Sequence, residues 1–162
     1  MIGLKKLARA TAVLGLALSC LLCVPKDSFA DGKSNRTKHP FGLFVEADPF
    51  PGVFAIGGGL GYNVSDLIRF HGSFTTVSGL KIIKAAMDFF IPSWSVSPYA
   101  GLGIANFNLS ASSPIGSFSA SLTGPMFELG LDTSTGFGMN FGGGAYFTFG
   151  GVGFLAYLGW YF

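Results

Sequence analysis

The stretch VFAIGGGLGYNV, residues 53–64, carries the pattern that decides the fold. Its large apolar side chains recur at alternate positions, Phe54, Ile56, Leu60 and Tyr62, and glycine, alanine and asparagine occupy most of the positions between them. Because successive side chains of a strand point to opposite faces, this alternation predicts a β-strand with one large apolar face and one small, polar face. A glycine-rich face is a poor surface for water but suits the lining of a narrow lumen.

The same alternation recurs along the chain, and nearly all charged residues fall on the parity opposite the apolar set. In the ambiguous segment 96–109 we expect Leu102 and Ile104 to face outward, with Asn106 and Asn108 near a rim. The other apolar sets are Phe41, Leu43, Val45 and Ala47; Ile68, Phe70 and Phe74; Ile83, Ala85, Met87, Phe89 and Ile91; Phe127, Leu129 and Leu131; Phe137, Met139, Phe141, Ala145, Phe147 and Phe149; Val152, Phe154, Ala156, Leu158, Trp160 and Phe162.

Turn-forming residues divide these runs into eight strands. Only the Ser-rich segment 109–124 is long enough to predict a substantial loop. An even number of strands of this length closes into an all-β, eight-stranded antiparallel up-and-down transmembrane β-barrel, which we expect over residues 41–162. The seven predicted connections are 48–52, 65–66, 77–81, 92–95, 109–124, 132–135 and 150–151.

The composition favours lipid over water as the surroundings of this sheet. Charged residues are 11% of the 162 residues and hydrophobic residues 49%, which excludes a disordered chain. A net charge of +2 without a basic cluster also argues against binding nucleic acid. Two alternatives remain: a soluble lipocalin-like or sandwich fold, and a transmembrane helix over residues 136–162. Nine glycines in that last segment disfavour the helix.

The amino terminus has the features of a secretory signal peptide over residues 1–30. A basic start is followed by an apolar stretch and by Ser28-Phe29-Ala30, which predicts cleavage after Ala30. A retained membrane anchor and a lipoprotein modified at Cys20 are the alternatives. Residues 31–40 are polar and predict a short flexible arm. Both cysteines precede Ala30, so the mature chain has neither a disulfide nor a thiolate metal site.

Three segments resemble the small outer-membrane β-barrels of Gram-negative bacteria, of the OmpA-barrel and OmpW-like kind. They are the turn-like residues 61–66, the strand 97–103, and the ending 154–162 with its terminal aromatic residue. The resemblance implies location in the cell outer membrane, contact with outer-membrane lipid and lipopolysaccharide, and recognition of Phe162 by the outer-membrane assembly machinery. We expect a monomer. The aromatic residues predicted at the membrane interface are Tyr62, Trp94, Tyr99, Trp160 and Phe162.

The inward parity collects the charged residues of the barrel. Since a charge in a narrow lumen must be paired or hydrated, we predict an internal charge network. With two histidines and no cysteine in the mature chain, we expect no metal site, and the sequence indicates no cofactor. The members of the predicted network are Glu46, Asp48, Arg69, His71, Lys84, Asp88 and Glu128.

The fragment His71-Gly72-Ser73, together with Glu128, allows an enzymatic alternative. A serine, a histidine and a carboxylate could form a nucleophilic triad, and the fragment resembles that of outer-membrane lipid A acyl hydrolases. The simpler interpretation is that His71 and Ser73 line the interior. We therefore predict a protein that is not an enzyme, and an integral outer-membrane barrel with a structural or narrow-pore role.

Overall fold

The structure is a computed structural model that describes residues 36–50, 53–91, 96–114 and 116–162. Within these ranges the chain forms a closed antiparallel barrel in which each strand pairs with the next and the last pairs with the first. This confirms the predicted all-β, eight-stranded up-and-down barrel. The strands are β1 (Phe41–Phe50), β2 (Val53–Asn63), β3 (Ile68–Val77), β4 (Leu80–Phe90), β5 (Val96–Ser113), β6 (Gly116–Ser134), β7 (Met139–Thr148) and β8 (Gly151–Tyr161).

Some predictions fall on residues outside this described part of the chain. They are the signal peptide of residues 1–30 with cleavage after Ala30, the first half of the polar arm (31–35), the connection 92–95, and Trp94 at the membrane interface. Within the described ranges, no helix has the length and apolar character needed to cross a membrane.

The barrel closes where β8 meets β1. The Phe41 N–H donates to the Phe162 carbonyl oxygen at 3.2 Å, and the Phe162 N–H donates to the Phe41 carbonyl oxygen at 2.7 Å. Further along the same seam, Val45 pairs with Leu158. Hydrocarbon offers no partner for an open strand edge, so a sheet surrounded by lipid must close in this way.

The two faces of the sheet differ as the alternation predicts. On β2, Ile56 and Leu60 are 59% and 64% exposed, while Ala55 is fully buried. On β4, Ile83 is exposed and the next residue, Lys84, is buried. Most large apolar side chains therefore face outward. The glycine, polar and charged side chains face the lumen, together with a few apolar ones such as Phe44, Ile82 and Phe90.

The facing of β5 also follows the prediction. Leu102 and Ile104 are exposed on the outer face. Asn106 pairs with Ile83, and Asn108 pairs with Lys81, one residue from the start of β4. Both asparagines therefore lie near the rim of the barrel, as the sequence predicted.

The prediction of a long loop over residues 109–124 is wrong. β5 and β6 stay paired to their tips, from Leu109 opposite Ala120 to Ser113 opposite Gly116. The neighbouring strands end earlier: β4 pairs with β5 only as far as Leu109, and β7 pairs with β6 only as far as Met126. The pair therefore continues past the barrel as a two-stranded ribbon. Serine-rich sequence suggests a loop, but the hydrogen bonds of a ladder come from the backbone and tolerate small polar side chains.

The connection between β3 and β4 is tighter than the predicted segment 77–81. Val77 and Leu80 still pair, so only Ser78 and Gly79 form the turn. Their φ angles are 40° and 85°, and two successive positive values are typical of the hairpin turn that glycine favours at its second position. A side chain at Gly79 would also overlap the Ser110 carbonyl oxygen, so the turn lies directly against the ribbon.

Candidate functional site in the barrel lumen

The inward parity of four strands places all seven residues of the predicted charge network in the lumen. β1 contributes two acidic residues, β3 an arginine and a histidine, β4 a lysine and an aspartate, and β6 a glutamate. Six of the seven are buried, and the histidine side chain is largely so. The seven are Glu46, Asp48, Arg69, His71, Lys84, Asp88 and Glu128.

The lysine cluster joins β1 and β4 across β2 and β3. Lys84 Nζ lies 2.6 Å from Asp48 Oδ1 and also pairs with the Glu46 carboxylate. The Thr75 hydroxyl donates to the other oxygen of Asp48, and the Tyr146 ring lies 4.4 Å from Nζ. A buried ammonium ion needs such a complete set of partners to offset the loss of water.

The arginine cluster joins β3, β4 and β6. Arg69 donates from Nε and Nη2 to Asp88 Oδ2 at 3.0 and 2.8 Å, and from Nη1 to Asp132 Oδ1 at 3.2 Å. The Tyr157 hydroxyl accepts from Nη2 at 3.1 Å and donates to Asp132. One guanidinium ion thus holds two carboxylates that belong to different strands, a geometry that suits its planar set of donors.

Sequence reasoning missed Arg36 and misjudged the end of the polar arm. Residues Arg36–Lys38 form a short 3-10 helix, and the Arg36 side chain enters the lumen, where it pairs with Asp132 and lies 4.0 Å from the centre of the Phe90 ring. The Thr37 N–H also donates to Asp66 at 3.3 Å. The prediction of a flexible arm is therefore wrong from residue 36 onward. An excess of acidic over basic residues on the inward parity was the available signal that a cation was missing.

Asp132 was the second residue that sequence reasoning missed. The sequence places it on the inward parity but also at a predicted break between strands. In the structure β6 continues to Ser134, and Asp132 is buried as the shared partner of Arg36 and Arg69. Asn140 donates to it as well, at 3.4 Å.

The histidine cluster consists of His71, Asp88 and Glu128. His71 Nε2 lies 3.4 Å from Asp88 Oδ1 and 3.5 Å from Glu128 Oε2. His71 and Ser73 share the inward parity of β3, and Ser73 is buried. The three groups of the enzymatic alternative thus lie inside the barrel, on the face opposite the apolar outer surface.

The structure places the predicted interfacial aromatic residues on both faces of the sheet. Tyr62, Trp160 and Phe162 are exposed on the outer face, where the Tyr62 ring lies 4.7 Å from that of Phe41. The prediction for Tyr99 is wrong, because it is 4% exposed and lies in the lumen. The reason is strand parity: with Leu102 facing outward, a residue three positions away must face inward.

A small cavity in the lumen is lined by members of all three clusters. It leaves about 10 Å³ for the centres of water-sized molecules, which is room for about one water. His71, Glu128 and Tyr99 are among the residues that line it. Within the part of the chain that the structure describes, buried side chains surround this cavity on the inner face of the sheet.

No protein-family model and no curated protein matches the sequence, whereas solved structures similar to this chain were found. The N-terminal β-barrel domain of Pseudomonas aeruginosa OprF has a TM-score of 0.66 at 14% identity, covering 76% of this chain and 98% of that one. The de novo designed TMB2.3 has a TM-score of 0.54 at 15% identity, with coverages of 82% and 97%. Ail of Yersinia pestis has a TM-score of 0.49 at 20% identity, with coverages of 75% and 93%.

The likeness to the OprF domain concerns the fold. The chain has the architecture of a small eight-stranded outer-membrane barrel, and the resemblance to such barrels of Gram-negative bacteria that its sequence shows is confirmed at that level. At these identities the function must be argued from the two faces of the barrel and from its lumen.

Proposed function

We propose that this chain is a non-enzymatic, integral outer-membrane β-barrel with a structural role, whose lumen is kept closed by ion-paired side chains. The observation that carries the proposal is the pairing of a continuous apolar outer face with a charged, filled interior. Soluble proteins rarely expose apolar patches of more than a few hundred Å². A barrel in lipid needs such a surface, because its outer side chains contact acyl chains.

Closure of the lumen favours a structural role over a narrow-pore role. A passing solute would have to separate Arg69 from Asp88 and Asp132, and Lys84 from Glu46 and Asp48. Removing one partner from a buried ion pair costs about 3–5 kcal/mol. Eight strands also leave an interior just wide enough for side chains.

Planar-bilayer recording tests this closed state. The purified protein, refolded into detergent, is expected to migrate differently on gels before and after heating and to give a strand-dominated circular dichroism spectrum. In a bilayer it is expected to show no steady conductance. Steady single-channel events from the wild-type protein would replace the structural role with the narrow-pore role. A chain that folds in water without detergent or lipid would contradict the membrane assignment altogether.

The location of His71 and Ser73 supports the non-enzymatic assignment. Acyl chains of lipid A lie outside the barrel, whereas Ser73 is buried and faces the lumen. Neither the wild-type protein nor Ser73→Ala is expected to release fatty acid from purified lipopolysaccharide. Release by the wild type that Ser73→Ala abolishes would establish the hydrolase instead.

The outer-membrane location implies export and assembly, and we propose cleavage after Ala30 and recognition of Phe162 by the assembly machinery. Phe162 is 61% exposed, and its backbone already pairs with Phe41. Phe162→Ala keeps those backbone bonds and removes only the ring. We expect it to lower the amount of barrel in the outer membrane while purified protein refolds normally. Phe149→Ala, at an exposed turn, is the matched control.

The partners proposed with this assignment are outer-membrane lipid and lipopolysaccharide. We also propose that the chain is a monomer and that it does not bind nucleic acid. The exposed aromatic residues of the outer face fit the interfacial regions of a bilayer. Light scattering of the detergent complex, corrected for bound detergent, is expected to give the mass of one chain.

A further inference from the structure

The buried charges of the lumen do not balance. Among the residues that the structure describes, the lumen holds two more carboxylates than side chains with a permanent positive charge. Uncompensated charge is costly away from bulk water, so this excess needs a counter-charge. The carboxylates are Glu46, Asp48, Asp88, Glu128 and Asp132, and the cations are Arg36, Arg69 and Lys84.

Glu128 is where the counter-charge is missing. Each of the other four buried carboxylates pairs with an arginine or a lysine. Glu128 is 1% exposed, and neither of its carboxylate oxygens accepts a hydrogen bond within the described residues. The group it faces is His71, whose Nε2 also lacks a hydrogen-bond partner there.

The histidine cluster has the spacing of a metal site. One ligand atom from each of its three residues lies within 4.8 Å of the other two. His71 Nε2 lies 3.4 Å from Asp88 Oδ1 and 3.5 Å from Glu128 Oε2. Metal–ligand bonds of 2.0–2.2 Å in a tetrahedron put neighbouring ligand atoms roughly 3.3–3.6 Å apart. Both distances from His71 fall within that interval, and the ligand atoms of Asp88 and Glu128 lie within 4.8 Å of each other.

Neighbouring residues orient the ligand atoms of the histidine cluster towards one another. Arg69 binds Asp88 through Oδ2 at 3.0 and 2.8 Å, which leaves Oδ1 free of hydrogen bonds and facing His71. Gly101 stands in register between Asp88 on β4 and Glu128 on β6, and a side chain there would overlap Asp88 Oδ1. The adjacent cavity has room for a water as a fourth ligand.

We propose that His71, Asp88 and Glu128 bind a divalent transition-metal cation of the zinc type. One imidazole and two carboxylates are ligands that suit Zn²⁺, whereas Mg²⁺ and Ca²⁺ prefer oxygen ligands alone. Two positive charges also offset the excess of two buried carboxylates. The site is independent of whether the barrel conducts, so its test does not depend on the closed-lumen proposal.

The first test measures zinc in the folded protein. The mature protein, residues 31–162, which lacks Cys20 and Cys23, is refolded in detergent with ZnCl₂. Free metal is removed, and the zinc content is determined by mass spectrometry. The wild type is expected to retain about one zinc per chain. Glu128→Gln and His71→Gln are each expected to weaken binding at least 10-fold, because loss of an outer-shell group alone costs 10–100-fold. Folding of every sample is checked by heat-shifted gel migration.

Two control variants separate this site from general effects. Glu46→Gln also removes a buried lumen carboxylate, but one that is paired with Lys84. His39→Gln removes the other histidine of the mature chain. Both controls are expected to keep about one zinc per chain. Binding that survives Glu128→Gln and His71→Gln but is lost in His39→Gln would place the metal elsewhere and overturn the proposal.

Substitution with cobalt tests the coordination geometry of the proposed metal site. Co²⁺ in place of Zn²⁺ is expected to give visible absorption bands typical of four-coordination in the wild type and to lose them in Glu128→Gln. A folded wild-type protein that retains no stoichiometric zinc overturns the proposal and leaves protonated His71 as the partner of Glu128. That wild-type result decides the question even where a variant fails to fold.

Discussion

On β4, Ile83 faces outward and is exposed, while the next residue, Lys84, is buried between two carboxylates. The outer face requires no specific partner if, as we propose, it contacts lipid, because any apolar side chain suits acyl chains. The inner face is built from pairs whose members lie on different strands, such as Arg69 with Asp132. The difference indicates that the outer face tolerates exchange among apolar residues, whereas the inner face is sensitive to single substitutions.

The largest loss of stability is expected in the lumen, at Lys84. Lys84→Met leaves Glu46 and Asp48 without their cation and should lower the free energy of unfolding by about 3–5 kcal/mol. Urea unfolding of the protein in lipid vesicles, followed by tryptophan fluorescence, measures it. The control is Lys81→Met, which replaces an exposed lysine of the same strand and should change stability little. Equal losses from both would contradict the contrast between the faces.

The next largest loss of stability is expected on the outer face, at Val45. This residue is exposed at the middle of β1. Because the middle of the strand lies near the bilayer midplane, Val45→Arg should destabilise the barrel by about 2–4 kcal/mol. Val45→Leu, which keeps the face apolar, should be nearly neutral. The same vesicle unfolding experiment compares them, and an arginine tolerated as well as leucine would argue against lipid at this face.

A smaller effect is expected where one carboxylate has several partners. Arg36→Met removes one cation from Asp132, but Arg69, Tyr157 and Asn140 remain bound to it. Loss of one charged hydrogen bond costs about 1.5–3 kcal/mol. The variant should also show brief conductance events in a planar bilayer, since Arg36 no longer fills the lumen. Lys38→Met, which replaces an exposed lysine two residues along the chain, is the control and should give neither effect.

The smallest effect is expected in the ribbon beyond the barrel. Phe118 is exposed there, opposite Ala111. Phe118→Ala should change stability by no more than about 0.5 kcal/mol, as is usual for surface positions. Phe127, further along β6, packs against Phe147 at 6.2 Å between ring centres and should cost more when changed to Ala. Hydrogen exchange should also be faster at ribbon amides than in β6 beside β7, because two paired strands alone are marginally stable.

The sequence predicted the facing of the barrel strands because alternation is a local property. Leu102 and Ile104 illustrate this, since their outward position follows from their spacing alone. Tyr99 was misassigned although the same parity argument already placed it inside. The ribbon was missed for another reason: serine lowers the expectation of a strand, whereas pairing with a partner strand supplies the backbone hydrogen bonds regardless.

The candidate site could be predicted only as a set of inward charges. Which charge meets which depends on register and on shear between strands, and these are not readable from one strand at a time. Arg36 shows the limit most clearly, because it lies before β1 and yet pairs with Asp132 on β6. No local pattern marks a residue in a polar arm as a lumen residue.

By itself, the sequence determined the number of barrel strands, their antiparallel order and which side chains face outward. The period of two is a property of each segment, and the turns are marked by the residues between segments. Only the tertiary structure decided the contacts across the lumen. Closing the sheet brings His71, Asp88 and Glu128 from three strands close together, and among the residues that the structure describes no arginine or lysine pairs with Glu128. The physical reason is that burial makes charges depend on distances between strands, whereas alternation depends only on neighbours along one strand.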